Sequence, residues 1–333
     1  MTKPLAALSL DLDDHWSYLK TRGDPAWKTH PSYIGRLLPP LLDLLDEMKL
    51  RISFFVVGQD AAIERNKPAL RTIVDRGHDV GNHSFHHEPW LSSYTPDEIR
   101  GEVQAAEGAI ADATGVRPLG FRGPGFSWNP VLVDVLLEAG YRYDASTLPT
   151  FIGPLGRMYY FARSGLDRAE RARRKDLYGS WADGLRPIRP YRWLAPGGRQ
   201  LLEVPMTTMP LLRTPFYLSY LIYLSRFSEA AALAYLGAAI RLCRLSGIGL
   251  SFLLHPLDFL GPEEAPGLDF FPGMDVAPAR KRALFRRAIA AIGRRFEIVD
   301  LGTYARAVAA RPGRLALRAA ARTPGGRARG GSS

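Results

Sequence analysis

The chain has 333 residues, 46% of them hydrophobic, with 32 Gly, 26 Pro, one cysteine and a formal charge of +11. That content can fill one large core, and the lone Cys243 excludes a disulfide framework or a cysteine-based metal cluster. Seven arginines and no acidic residue lie from Arg306 onward, so the charge sits in a tail. No recognition helix or aromatic-interleaved basic strand accompanies it, which argues against a nucleic-acid partner.

The amino terminus, MTKPLAALSLDLDDHW, lacks the charged, apolar and cleavage-site succession of a signal peptide. With the single cysteine, this sets the expectation of a cytoplasmic protein. The stretch LAALSLDL reads as a first strand: Leu8, Leu10 and Leu12 share one face and Ser9, Asp11 and Asp13 the other, with Asp14 just past the tip. YIGRLLPPLLDLLDEMKL is expected to be helical after Pro39 and Pro40. RISFFVVG is a continuous apolar strand of the kind covered on both faces.

KPALRTIVDRG reads as a helix stopped by Gly77, and HDVGNHS as a short strand and its exit loop. TPDEIRGEVQAAEGAIADATG opens on Thr95 or Asp97 as a cap and closes on Gly115. PLGFRGPG is a strand with a glycine-rich exit, NPVLVDVLLEAG a helix with Pro130 in its first turn, and YRYDAS a strand. LLEVPMT, IGLSFLLHP, the helix PARKRALFRRAIAAIGRRF and the strand FEIVDLG follow. Repeated strand–helix pairs imply a parallel sheet, and seven or eight strands suit a closed or nearly closed barrel.

Residues 1–305 are expected to form one domain, with insertions at about 153–200 and 209–246 and a basic, partly disordered tail over 306–333. Polar groups recur at strand exits: Asp13–Asp14, His83–His87, Arg122, Asp144 and His255. In such barrels this rim carries the site.

His83 and His87, four apart, can face one metal if they lie on a helical turn. His86, between them, is expected to point elsewhere. One aspartate of the Asp13–Asp14 pair would complete a set of two nitrogens and one oxygen, leaving the other as a base. His255 follows an apolar strand, and imidazole is a kind of group suited to protonating a leaving amine.

These blocks resemble the polysaccharide deacetylase (NodB-homology, carbohydrate esterase family four) family. LDLDDH is similar to its first motif, HSFHH to the second, RGPGF to the arginine–proline block, YRYDAS to the aspartate block and LLHP to the last. The resemblance covers roughly residues 5–150 and 200–300. It implies a distorted (β/α)7 barrel that holds one divalent ion, commonly zinc, with cobalt, nickel or manganese as alternatives. It also implies Asp14, His83 and His87 as ligands, Asp13 as base, His255 as acid, Arg122 orienting Asp13, and Asp144 holding the far nitrogen of His255. Asp11 stands where the family has threonine. It shares a face with Asp13 and is a rival for the base.

The activity implied is removal of N-acetyl or N-formyl from an amino sugar. An amidohydrolase acting on a small soluble C–N compound and an inactive binding protein on the same barrel are the alternatives. The uncharged stretch between Arg213 and Arg226 is too short to span a bilayer. It fits a buried helix pair, an interfacial helix at an anionic membrane surface, or a homodimer face. The membrane option would suit a lipid-linked amino sugar. Trp181, Tyr191 and Trp193 could stack on sugar rings or form the first insertion's own core.

Overall fold

Leu8, Leu10 and Leu12 point outward from the first strand into a core beneath the surrounding helices, while Ser9, Asp11 and Asp13 point into the space the strands enclose. This computed structural model describes residues 3–153, 181–311, 313 and 315–320. Its strands are β1 (Leu5–Leu12), β2 (Ser53–Val56), β3 (Asp79–Asn82), β4 (Gly120–Phe121), β5 (Tyr143–Asp144), β6 (Tyr191–Leu194), β7 (Gln200–Glu203), β8 (Leu250–Leu254), β9 (Glu297–Asp300) and β10 (Ala316–Ala319). The helices used below are α1 (His15–Arg22), α2 (Ile34–Glu47), α3 (Gly58–Ala62), α4 (Lys67–Asp75), α5 (Pro96–Thr114), α6 (Pro130–Glu138), α7 (Leu218–Ser225), α8 (Glu229–Leu245), α9 (Pro278–Gly293) and α10 (Leu301–Ala309).

Seven strands run parallel in the order β8-β1-β2-β3-β4-β5-β7. The ends of this row meet through Thr207, whose N–H donates to Ser251 O at 3.2 Å and whose hydroxyl accepts from Ser251 N at 2.8 Å. A side chain thus stands in for part of a strand ladder, and the result is a distorted (β/α) barrel. Outside it, β6 pairs antiparallel with β7, β10 pairs with β6, and β9 pairs with the start of β1.

The main core lies between β1, β2, β8 and the helices around them. Leu10 is fully enclosed there, and truncating such a leucine to alanine costs about 2–5 kcal/mol. Helices α7 and α8 join the same core through Leu218, Leu221, Ile222, Leu236, Ala239, Ile240 and Cys243. Inside the barrel, Phe55 lies over Gly81, where a Cβ would come within 2.6 Å of its ring. Only glycine leaves room for that ring to fill the floor beneath the polar rim.

Helix α5 starts on Thr95, with Glu98 closing a capping box, and ends on Gly115 in the left-handed region. Helix α2 differs from expectation, since it begins at Ile34 and runs through Pro39 and Pro40. Both prolines are exposed, so the carbonyls of Gly35 and Arg36 that they cannot bond lie on the solvent face. Residues 154–180 of the first expected insertion and 321–333 of the tail lie outside the described residues.

Candidate metal centre

The inward face of β1 carries Ser9, Asp11 and Asp13 up the barrel wall. Asp13 reaches the rim, where its Oδ1 lies 3.3 Å from His83 Nε2 and 3.0 Å from His87 Nε2. Donor atoms of Asp13, His83 and His87 all fall within 4.8 Å of one another, and all three residues are buried. Burial alone would raise the Asp13 pKa, but the two imidazoles outweigh it and hold the carboxyl well below the usual range. Burial likewise disfavours charge on His83, and Asp11 and Asp13 more than offset it.

The sequence reading grouped Asp14 with the histidines; the structure puts Asp13 there. Past the strand tip the chain turns, and Asp14 becomes the N-cap of α1. Its Oδ1 accepts from His15 N at 2.8 Å and Tyr33 N at 2.9 Å, on the side of Asp60. Burial there raises the Asp14 pKa to about 6. The expectation that Arg122 orients Asp13 is corrected in the same way. Arg122 is fully enclosed and donates to Asp11 Oδ1 at 2.6 Å and to Ser9 Oγ at 3.0 Å, because Asp11 and Ser9 are the inward residues level with it. The Asp11 carboxylate lies 3.9 Å from His83 Nε2.

His83 is fixed in ring orientation by its Nδ1, which bonds Arg122 O at 2.6 Å. A carbonyl accepts only, so Nδ1 carries the proton and Nε2 presents its lone pair to the cluster. The pair is not on a helical turn. The loop reverses with Ser84 at φ 61° and His87 at φ 51°, and residues 83–88 contain no helix. Glu102, on α5, supports this conformation: one carboxylate oxygen accepts from the N–H groups of Phe85 and His86 at 2.9 Å each, and the other pairs with His86 Nδ1 at 2.5 Å. His86 therefore points away from the cluster, toward α5. Tyr33 adds a second brace by donating its hydroxyl to Asp13 O. No sequence signal marked Glu102 or Tyr33, since each acts across the fold on a backbone.

His255 follows β8. The β1–β8 register ends at Leu10↔Leu254, so His255 comes level with Asp11 on the inward face. Asp144 does not hold it. Asp144 accepts from Ser146 Oγ at 2.5 Å and sits with Glu203. The His255 Nδ1 is bonded instead to Ser219 Oγ, at 2.9 Å.

Of the aromatic residues considered for sugar stacking, Tyr191 and Trp193 are buried, and Trp193 stacks on Trp128 at 4.5 Å between ring centroids. Trp181 is exposed.

The donor set fits a small divalent ion. One carboxylate oxygen and two imidazole nitrogens converge, and both His87 nitrogens and Asp13 Oδ1 have no hydrogen-bond partner among the described residues although buried. The family model for polysaccharide deacetylases matches residues 27–143, the stretch that holds His83, His87 and Arg122. Over that stretch the chain is similar to the polysaccharide deacetylase family. The peptidoglycan deacetylase of Helicobacter pylori is 28% identical over 165 residues, which is 48% of this chain and 54% of that protein. The chitooligosaccharide deacetylase of a Bradyrhizobium strain is 36% identical over 104 residues, 31% of this chain and 46% of that protein. The chain spans about half the length of these curated relatives. A crystal structure from Mycobacterium smegmatis, provisionally described as a polysaccharide deacetylase, superposes with a TM-score of 0.61 at 20% identity and covers 95% of this chain and 93% of that one. At that identity the match bears on the fold alone. Asp11, Asp13 and His255 lie outside the matched stretch, and their placement rests on the barrel geometry given above.

Proposed function

We propose that this chain is a metal-dependent N-deacylase that removes an acetyl or formyl group from an amino sugar. The observation that carries the reading is the buried meeting of Asp13, His83 and His87 beside a second inward carboxylate, Asp11, held by Arg122. Asp13, His83 and His87 would hold one divalent cation, most commonly zinc. Bound there, such an ion supplies Lewis acidity, polarising an acyl carbonyl and making water more acidic.

The remaining chemistry belongs to the chain. Asp11 takes a proton from the attacking water as its oxygen bonds the acyl carbon. Arg122, enclosed in its slot, keeps the Asp11 carboxylate aimed. His255 gives a proton to the nitrogen as the C–N bond breaks, leaving a free amine and acetate or formate. The match to carbohydrate deacetylases supports an amino sugar as the acyl carrier.

The α7–α8 segment, whose Ser219 contacts His255, supports a lipid-linked form of that substrate at an anionic membrane surface. Leu211, Leu212, Tyr223 and Phe227 are exposed, Phe227 by 76%. An apolar groove of about 280 Å³ lies between Leu224, Phe227, Ala231 and Tyr235. Arg213, Arg226, Arg241 and Arg244 occur along the same segment, where they would favour acidic headgroups. Among the described residues no helix is long and apolar enough to cross a membrane, so contact would be peripheral.

The test is mass-spectrometric screening of the metal-loaded chain for loss of 42 or 28 mass units, about one acetyl or formyl exchanged for hydrogen, from amino sugars with and without a polyprenyl phosphate. Loss abolished by a chelator and by Asp11→Asn supports the reading. Turnover of small amides alone, with none of any amino sugar, contradicts it.

A further inference from the structure

Ser219 lies in the first turn of α7, an otherwise apolar helix with sequence LSYLIYLS. A serine at such a position commonly bonds back to its own helix. Here its hydroxyl oxygen is 2.9 Å from His255 Nδ1, and the side chain is only 9% exposed. Asp258, 1% exposed, accepts from the His255 backbone N–H at 2.8 Å. Burial raises the Asp258 pKa, and the nearby His255 ring and Ser219 hydroxyl oppose the rise. One hydroxyl thus stands between an imidazole and a buried carboxylate.

The surroundings hold this arrangement still. Tyr217, also from the α7 segment, sets its ring edge-on to His255 at 6.0 Å between centroids. Lys281 on α9, itself buried, donates to Leu257 O at 2.8 Å and Leu260 O at 2.7 Å, which clamps the turn carrying Asp258. Among the described residues, the charged and titratable groups facing the imidazole are Asp258 from its own turn, Tyr217 from the start of α7, and Asp11, level with it just past the β1–β8 pairing. Lys281 from α9 and Tyr18 from α1 reach it through Asp258.

We propose that Ser219 is a positioning residue for His255, accepting its Nδ1–H and donating in turn to the Asp258 carboxylate. The relay fixes the tautomer and leaves Nε2 free to face the departing nitrogen. It also gives the positive charge that His255 carries when protonated a buried counter-charge two bonds away. The positioning group therefore comes from the apolar segment 209–246. The inference rests on the reading of His255 as the proton donor.

The experiment is ¹⁵N NMR of histidine-labelled, metal-loaded protein at about pH 9, where an ordinary imidazole is neutral, with His255→Gln assigning the signal. In the wild type His255 shows the Nδ1–H tautomer, and in Ser219→Ala the Nε2–H tautomer appears. Turnover by Ser219→Ala falls about tenfold in kcat, with KM and bound metal unchanged, and Ser219→Thr, which keeps the hydroxyl, recovers most of it. An unchanged tautomer in Ser219→Ala, or a kcat loss that threonine does not rescue, overturns the relay. Failure of the underlying reading looks different: His255→Ala keeps full turnover, and Ser219→Ala shifts the tautomer with no kinetic loss.

Discussion

Asp11 and Arg122 are 111 positions apart in the chain, yet their side chains meet at 2.6 Å inside the barrel. Arg122 is fully enclosed, and besides this contact its side chain hydrogen-bonds only Ser9 Oγ and the Ala145 carbonyl among the described residues. A buried guanidinium needs a counter-charge, and Asp11 supplies it. The same contact fixes which face of that carboxylate remains for water. Asp11→Asn should therefore bind metal as the wild type does and lose about 10²- to 10⁴-fold in kcat. Arg122→Lys keeps the charge but loses the fork of donors, and its kcat should fall with little change in bound metal. Steady-state kinetics beside metal analysis of the same samples checks both.

Glu102 holds two consecutive loop amides with one oxygen, which stabilises the left-handed backbone at Ser84 and His87. Glu102→Gln still offers an oxygen but loses the charge. Metal affinity, measured by competition with a coloured chelator, is expected to fall about tenfold. An unchanged affinity would mean that the loop holds itself.

His78 is buried between β2 and β3, where its Nδ1 accepts from Ile52 N at 3.2 Å. Burial lowers its pKa to about 4. The folded pKa lies below the unfolded one, so the stabilisation is full above about pH 6.5 and is lost as pH falls toward 4. His78→Asn keeps an acceptor and cannot titrate. Between pH 7 and 4.5 it should lose on the order of 1–3 kcal/mol less stability than the wild type in urea unfolding. An identical pH dependence in the two proteins would contradict the neutral buried imidazole.

Much of the site was legible from alternation along β1. Ser9, Asp11 and Asp13 fall on one face at a period of two, and the structure uses all three together. What misled was the adjacent pair Asp13–Asp14, which matches the family's motif by composition. Two residues beyond the strand end the period of two no longer applies, and Asp14 goes to helix capping. His83 and His87 were visible by spacing, but the turn that brings them together needs Glu102 from a helix 15 or more positions downstream. The partner of His255 was misassigned for a similar reason. Asp144 is the expected type of group, whereas the contact comes from Ser219 in an apolar run whose pattern signals only burial. Pro39 and Pro40 suggest a later start for α2, but both lie on the solvent face and the helix runs through them from Ile34.

Asp13 and Asp14 are adjacent in the chain, yet only Asp13 meets the two imidazoles. Asp14→Ala removes a buried helix cap, which costs about 1–2 kcal/mol of stability, and should leave the donor set intact. Asp13→Ala removes the oxygen that meets both imidazoles. The decisive measurement is bound divalent metal per chain, by elemental mass spectrometry after dialysis against a fixed free-ion buffer, for the wild type and these two variants. The account predicts about one ion per chain in the wild type and in Asp14→Ala, and none in Asp13→Ala. Metal retained by Asp13→Ala, or lost only from Asp14→Ala, would contradict it.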